Sequence, residues 1–534
     1  MKRALLVGCF VLVVAFICHF CFSWMGFTPT DEGFTLAHSR RILDGQVPHR
    51  DFIIIRPFVS PLIHVPEVWL GGASTLWLSR LVVWFQFACL AAAWTIVSDR
   101  LTNRSPSLAA AFSGSLICFA ATVHTKHLTA WHTIDGLFFF FVGLTFCTQP
   151  RTWSKLAGYF LLGLAPLCKQ GFIFVVPGAL ILLSDWRSIK YWCAGVLPGL
   201  LYFAFLLCAG GISDAVTQLA SHSEFFSTAI LAYGQPRVLL SAAIGFWAAH
   251  LIANAAASGF RRWSALIILY VAPFAGTAVS LALGVMISSA FLLFGLCLGI
   301  AAYWIVFRKD SPAAKRVMLL ALLAAWTASV SGGYNSPALG AGALLVAVAV
   351  TILGQGPHWQ RRLVECSLPV FCALILAGFV MGRVQHIYRE PSAGHLDHPI
   401  GDVMPGGKGI YTNPNTYAFL SDLRRAVEFV EQTHRKYAII PDVGAYWVKS
   451  PEANPFPAVW PHGDELKTPP LLNRYLRAID ARRIDTTVIV QKVAADNLAT
   501  GFAPLPEGGY FEVVRYVRQN LEKVHETDYF ALYQ

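Results

Sequence analysis

Charge is what this chain of 534 residues has little of: only 13% of them are Asp, Glu, Lys or Arg. Soluble domains carry about a quarter. The shortage excludes a disordered chain, a coiled coil and an ordinary water-soluble enzyme. Acids are the scarcer sign over residues 1–382, with 12 Asp/Glu against 24 Lys/Arg. Residues 383–534 are nearly balanced, with 18 against 17. Cysteine is missing from residues 383–534, although the chain has 12. That stretch therefore has no disulfide framework and no thiolate metal site. The cysteines before it lie mostly in apolar runs, where they act as small hydrophobes. No H-E-x-x-H, P-loop, G-x-G-x-x-G or Cys-rich zinc spacing occurs.

What the chain has in quantity is apolar: 56% hydrophobic residues and a mean hydropathy of +0.54. Thirteen stretches are apolar enough to read as spans, from 4–26 and 77–98 through 339–354 and 364–382. The expectation is a polytopic α-helical membrane protein with about 13 transmembrane helices over residues 1–382. Residues 383–534 read as a small soluble α/β domain: helices at 416–434, 471–482 and 510–524, with strands at 437–440, 486–490 and 529–533. The segment 441–461 reads as a long loop whose aromatics, Tyr446, Trp447, Phe456 and Trp460, touch the membrane interface or stack on sugar rings.

Basic residues set the orientation. With the N-terminus cytoplasmic, 16 of the 24 basic residues before position 383 fall in inside loops. The net +11 is therefore topology, with no nucleic-acid partner implied. An odd span count puts residues 383–534 outside. The only Asn-x-Ser/Thr sequon, Asn103-Arg104-Ser105, is then inside. This favours a bacterial inner membrane.

The outer face collects the unusual residues. The longest outer loop before residue 383, at 27–76, reads as two short amphipathic helices on the membrane surface. Thr30 is placed to cap the first, starting at Asp31, and Gly45 to end it. Arg40 and Arg41 read as lipid-headgroup contacts. Asp135 opens an apolar run, where an acid is costly and usually functional. His124, His127 and His132 could hold a divalent metal together with Asp31 or His64. Tyr334 and Asn335, in the turn 331–337, are candidate substrate contacts.

The residues Asp31-Glu32-Gly33, Ala37, Arg41-Ile42-Leu43, Gly45, Pro48, Arg50-Asp51-Phe52, Arg56-Pro57, Leu62, Gly71, Ser74 and Arg80 resemble the first outer loop of membrane glycosyltransferases of the GT-C fold. The likeness is to the group (glycosyltransferase family 39-like) that holds the aminoarabinose lipid A transferases and the protein O-mannosyltransferases. It implies a transferase moving a sugar from a polyprenyl-phosphate donor to a lipid, glycan or protein acceptor. Carried over, Asp31 matches the acid of that loop, taken as base or acceptor-positioning group. Thr133-Ile134-Asp135 matches the second acid, and Lys169-Gln170-Gly171 the lysine after the fifth span. Arg56-Pro57-Phe58 stands where the lipid A transferases have Lys-Pro-Pro. Asp31 and Asp135 are thus the expected catalytic residues, and Arg56 and Lys169 the expected donor-phosphate ligands. Glu32, Asp51, Arg80, Lys126 and His64 are further candidate contacts. The rival readings are a secondary transporter and a non-catalytic polyprenyl-lipid-binding relative.

Overall fold

The computed structural model describes residues 2–124, 126–221, 225–254, 271–283, 286–308, 311–331, 336–355 and 358–534. Tyr334 and Asn335 lie outside the described residues. A helix occupies at least part of each of the thirteen apolar stretches, beginning with Lys2–Phe22, Thr75–Leu101, Leu108–Val123 and His132–Cys147. Among the described residues, six helical stretches are long and apolar enough to cross a membrane: Gly72–Leu101, Ile189–Cys208, Pro236–Ala253, Ala290–Phe307, Pro337–Gly354 and Val364–Gln385. Others, such as Leu108–Val123 and His132–Cys147, are shorter. Two helices, Ile212–Ala220 and Phe225–Tyr233, lie outside the expected spans.

The helices bury small residues against one another. A Cβ on Gly163 would lie 2.1 Å from the carbonyl oxygen of Gly195. Helices Thr152–Cys168 and Ile189–Cys208 can approach that closely only because glycine is at the crossing. Their outward faces are apolar: Leu200, Leu201 and Leu207 are more than half exposed, as are Leu239 and Leu240 on Pro236–Asn254. A surface of that kind suits lipid rather than water. At the end away from the outer loop, Lys155 reaches Asp185 at 2.8 Å, Tyr159 donates to the same carboxylate, and Arg316 donates to Ser184.

In the C-terminal part, six strands are described: β1 (His398–Pro399), β2 (Tyr411–Thr412), β3 (Lys436–Ile440), β4 (Thr486–Gln491), β5 (Lys523–Glu526) and β6 (Phe530–Tyr533). The last four form one sheet in the order β3-β4-β6-β5. β3 and β4 are parallel, with Lys436 opposite Thr486 and Ile440 opposite Val490, and the helix Pro469–Arg482 lies between them in sequence. β6 runs antiparallel to both β4 and β5. Alternate residues enter opposite cores. Tyr437, Ile439, Ile489 and Leu532 pack with Phe419 and Leu423 of helix Pro414–Gln432. Ala438, Val488 and Val490 pack with Tyr475 and Val517 of helices Pro469–Arg482 and Glu512–Asn520. The sequence expectation missed β5, whose four residues are exposed or only partly buried and so lack an apolar signature; pairing with β6 supplies the order.

Composition changes at residue 383, but packing does not. Phe27, Phe34, Leu36, Ala37, Val68 and Leu76 of the outer-loop region belong to the first of those cores, and Ile53 and Ile55 to the second. The backbone is stitched across as well. Ile53 N–H donates to Pro457 O at 2.6 Å, Lys408 N–H to Ala73 O at 2.9 Å, and Tyr411 N–H to Trp24 O at 2.8 Å. Arg41 is buried and donates to the carbonyl of Phe456, so it holds the two parts together rather than meeting a lipid headgroup. Arg40 pairs with Asp44 at 2.9 Å.

Candidate functional site

The outer loop folds as three short helices, Phe34–Leu43, Val59–Ile63 and Val65–Leu70. The first starts three residues later than its sequence suggests. Gly33 takes φ 80°, and a Cβ there would lie 2.5 Å from the Cα of Ala445. The helix therefore starts beyond the point where the C-terminal segment crosses the loop. Thr30 caps nothing; its hydroxyl meets Thr28 and receives Arg389. Gly45, at φ 82°, does follow the helix end.

The turn before this helix directs Asp31 and Glu32 differently. Glu32 is buried and takes Arg80 on both oxygens, at 2.7 and 2.6 Å. Arg80 also donates to the carbonyls of Ser23, Met25 and Gly26. The pair clamps the end of the first helix to Thr75–Leu101 and leaves neither residue for a substrate, contrary to expectation. Asp31 accepts from Tyr388 Oη at 2.9 Å, with Arg389 Nη1 at 3.4 Å. Its charge also acts on Lys126 and Asp442.

Asp135 is fully buried, and its oxygens are taken by Ser60 Oγ at 2.5 Å, Gln86 Nε2 at 2.7 Å and His64 Nε2 at 3.1 Å. His64 Nδ1 meets Glu67 at 2.5 Å on its other side. Burial works against charge on that ring, but the carboxylates of Glu67 and Asp135 outweigh it and raise its pKa well above the ordinary value. The ring thus lies between two carboxylates, which favour its protonated form. Asp135 and His64, expected to act on substrate or metal, instead anchor the outer loop to helix His132–Cys147. Asp51 is spent locally on Arg50 and on the backbone N–H of Val47.

The cations converge. Lys169 lies just past the end of helix Thr152–Cys168, is 3% exposed, and donates to Thr133 Oγ1 at 2.8 Å. Burial, then the charges of Arg56 and Lys126, push its pKa well below the usual lysine value. Lys126 is equally buried, lies 5.0 Å over the Trp131 ring, and is pushed down to about 8 by burial. Arg56 lies 5.6 Å over Phe34 and donates to Glu465 at 2.8 Å. Aromatic rings run between these charges. Phe34 stacks on Trp460 at 3.9 Å, Trp131 lies 6.0 Å from Phe34, and His127 stacks on Tyr388 at 4.4 Å. Trp460 Nε1 and His132 Nε2 are buried without a hydrogen-bond partner among the described residues.

Tyr388, Arg389, Asp442, Trp460, His462 and Glu465 complete the cluster. Only Trp460 drew notice in sequence, as an aromatic of the long loop. Asp442 follows Pro441 at the end of β3, a position that reads as an ordinary strand-ending turn. Burial, then Asp496, raise its pKa to about 7, and His462 Nε2 stands 3.8 Å away. The carboxyl end of the parallel pair β3/β4 thus faces the outer loop, where open α/β sheets commonly place ligands. Among the described residues, no group of three or more His, Cys, Asp or Glu is arranged to hold a metal ion. His124 and His127 stay apart from such a set, and His64 is held by carboxylates.

No family model matches the chain, and no curated protein or solved structure matches it.

Proposed function

We propose that this chain is a membrane glycosyltransferase of the GT-C type, transferring a sugar from a polyprenyl-phosphate donor to a lipid, glycan or protein acceptor at the outer membrane face. The observation that carries this reading is Lys169: a lysine buried beside Arg56 and Lys126, with no carboxylate in salt-bridge distance among the described residues. A phosphate bound there would favour the protonated lysine and offer it several acceptor oxygens. In this reading 13 helices span a bacterial inner membrane, with the N-terminus inside and residues 383–534 outside.

The chemistry asks three things of the side chains. The acceptor hydroxyl attacks the anomeric carbon, and its proton passes to a carboxylate. Asp31 is that carboxylate, steadied by Tyr388 and Arg389. The bond from the anomeric carbon to the phosphate oxygen breaks as the new bond forms, and the electron pair leaves with the phosphate. Lys169, Arg56 and Lys126 stabilise the charge developing there, in a site where burial strengthens each interaction. Asp135 acts as a positioning residue, holding Ser60 and His64 of the loop that carries Arg56.

The test separates binding from turnover. In nanodiscs, Lys169→Ala weakens undecaprenyl phosphate binding by about ten- to a hundredfold, the loss of a charge-assisted contact of roughly 1.5–3 kcal/mol. Asp31→Asn keeps that affinity and loses transfer. Parental lipid affinity in Lys169→Ala refutes the phosphate site. A parental transfer rate in Asp31→Asn refutes the catalytic assignment.

A further inference from the structure

The last helix before the C-terminal part, His358–Gln385, leads into residues 383–390, and this short segment touches both charged halves of the proposed site. Arg383 stands in the last turn of that helix. Helix Leu108–Val123 ends beside it, and the last carbonyls of any helix lack partners within the helix. Arg383 Nη2 donates to Val123 O and, at 2.7 Å, to Lys126 O. Lys126 N–H donates to the same Val123 carbonyl at 3.0 Å. The backbone of Lys126 is therefore tied to the helix end twice, once by its own N–H and once by the guanidinium. That guanidinium lies 5.4 Å over the Trp84 ring and 5.7 Å over Phe379, which restricts where it can go. Lys126 is the cation that lies over Trp131 and feels the charge of Asp31.

Further along, the same segment reaches the acid. Tyr388 Oη donates to Asp31 at 2.9 Å, and its ring stacks at 4.4 Å on His127, the neighbour of Lys126. Arg389 donates to Thr30 and takes φ 57°, a left-handed conformation that a residue other than glycine keeps only where its surroundings hold it. Glu390 accepts from Phe27 N–H at 2.9 Å and from the side chains of Thr412 and Asn413. Glycine at 26 lets the segment pass this closely: its φ is 75°, and a Cβ there would lie 2.6 Å from Ile387 Cγ2. One stretch of backbone is thus fixed to the neighbourhood of Lys126, to that of Asp31 and to the N-terminal cap of helix Pro414–Gln432.

We propose that Arg383 is a positioning residue of the phosphate site, setting through the Val123 and Lys126 carbonyls where Lys126 meets the donor phosphate. The inference rests on the transferase reading above. A plain helix cap would stabilise the fold and leave ligand affinity alone. Two observations favour positioning. The guanidinium reaches past the helix end to the carbonyl of Lys126 itself, and the segment that starts at Arg383 goes on to hold Asp31, so cation and acid share one reference. A group that acts through another residue loses its effect once that residue is gone, which a cap does not.

The experiment is a double-mutant cycle on the full chain in phosphatidylcholine nanodiscs, read by undecaprenyl phosphate affinity and by melting temperature. Arg383→Gln weakens binding by about tenfold, the scale on which supporting groups act at other sites. Lys126→Ala weakens it by about tenfold or more. In the Lys126→Ala background, Arg383→Gln changes the affinity no further, although it lowers the melting temperature as it does in the parent. If Arg383→Gln lacks the parental helical circular dichroism, Arg383→Lys takes its place, and its loss of affinity again appears only where Lys126 is present. Parental affinity in the Arg383 variant, parental affinity in Lys126→Ala, or equal losses in both backgrounds overturns the proposal. A parent that binds no undecaprenyl phosphate overturns the donor-site reading and this inference with it, whereas parental binding that the Arg383 substitution leaves untouched refutes this inference alone.

Discussion

Lys169, His64 and Asp442 are three buried titratable groups with three different settlements. His64 has a carboxylate on each ring nitrogen, which favours its protonated form, whereas Lys169 has no carboxylate in salt-bridge distance among the described residues and burial favours its neutral form. Burial holds the proton on Asp442 up to about pH 7. For Asp442 the linkage has a definite sign. Its folded pKa of about 7 exceeds the ordinary aspartate value, so the native state holds its proton after the unfolded chain has lost it. Stability therefore falls as pH rises from about 4 to about 7, and the full loss is present above that. Asp442→Asn mimics the protonated form. It should leave the melting temperature unchanged near pH 4 and raise it at pH 8, by an amount corresponding to at most about 4 kcal/mol. A variant that melts lower than the parent at pH 8 would show that the carboxylate is needed ionised. The sequence made Asp31, Arg56, Lys126 and Lys169 conspicuous as candidates, because charge next to apolar runs stands out. It could not expose Asp442, because a charge in a polar segment looks solvated until something buries it.

The outer-loop helix Phe34–Leu43 and the segment 441–468 are two of the elements that frame the site, and they meet at Gly33. There φ 80° is combined with contact against Ala445, so the position demands glycine twice over. Gly33→Ala should cost upwards of about 2 kcal/mol from left-handed strain and displaced backbone. Its signature is a lowered melting temperature with new proteolysis within 441–468. An unchanged melting temperature and cleavage pattern would mean the crossing is not tight. Helix and strand identities were readable over most of the C-terminal part, since Pro414–Gln432 carries a clear 3.6-residue pattern and β4 is a short, largely β-branched run, buried on both faces. The start of Phe34–Leu43 was not, because the element that crosses it comes from more than 400 residues away in the chain.

For the whole molecule, the clearest prediction is topological. A reporter active only outside the cytoplasm should work when fused after residue 390 and fail when fused near 310; the reverse result would place the cationic cluster on the other face. By itself the sequence determined that the chain is built of apolar helices, where its charges fall along them, and that a mixed α/β segment follows. These follow from local composition and period, because lipid and sheet both impose repeats that a short window contains. Only the tertiary structure decided which polar groups share a space. Glu32 and Arg80 became a clamp and Asp135 an anchor, while Glu465 and Trp460 were brought to Arg56 and Phe34. Those outcomes depend on which low-dielectric space each charge shares and with what partner, and contacts across hundreds of residues leave no periodic trace in the chain.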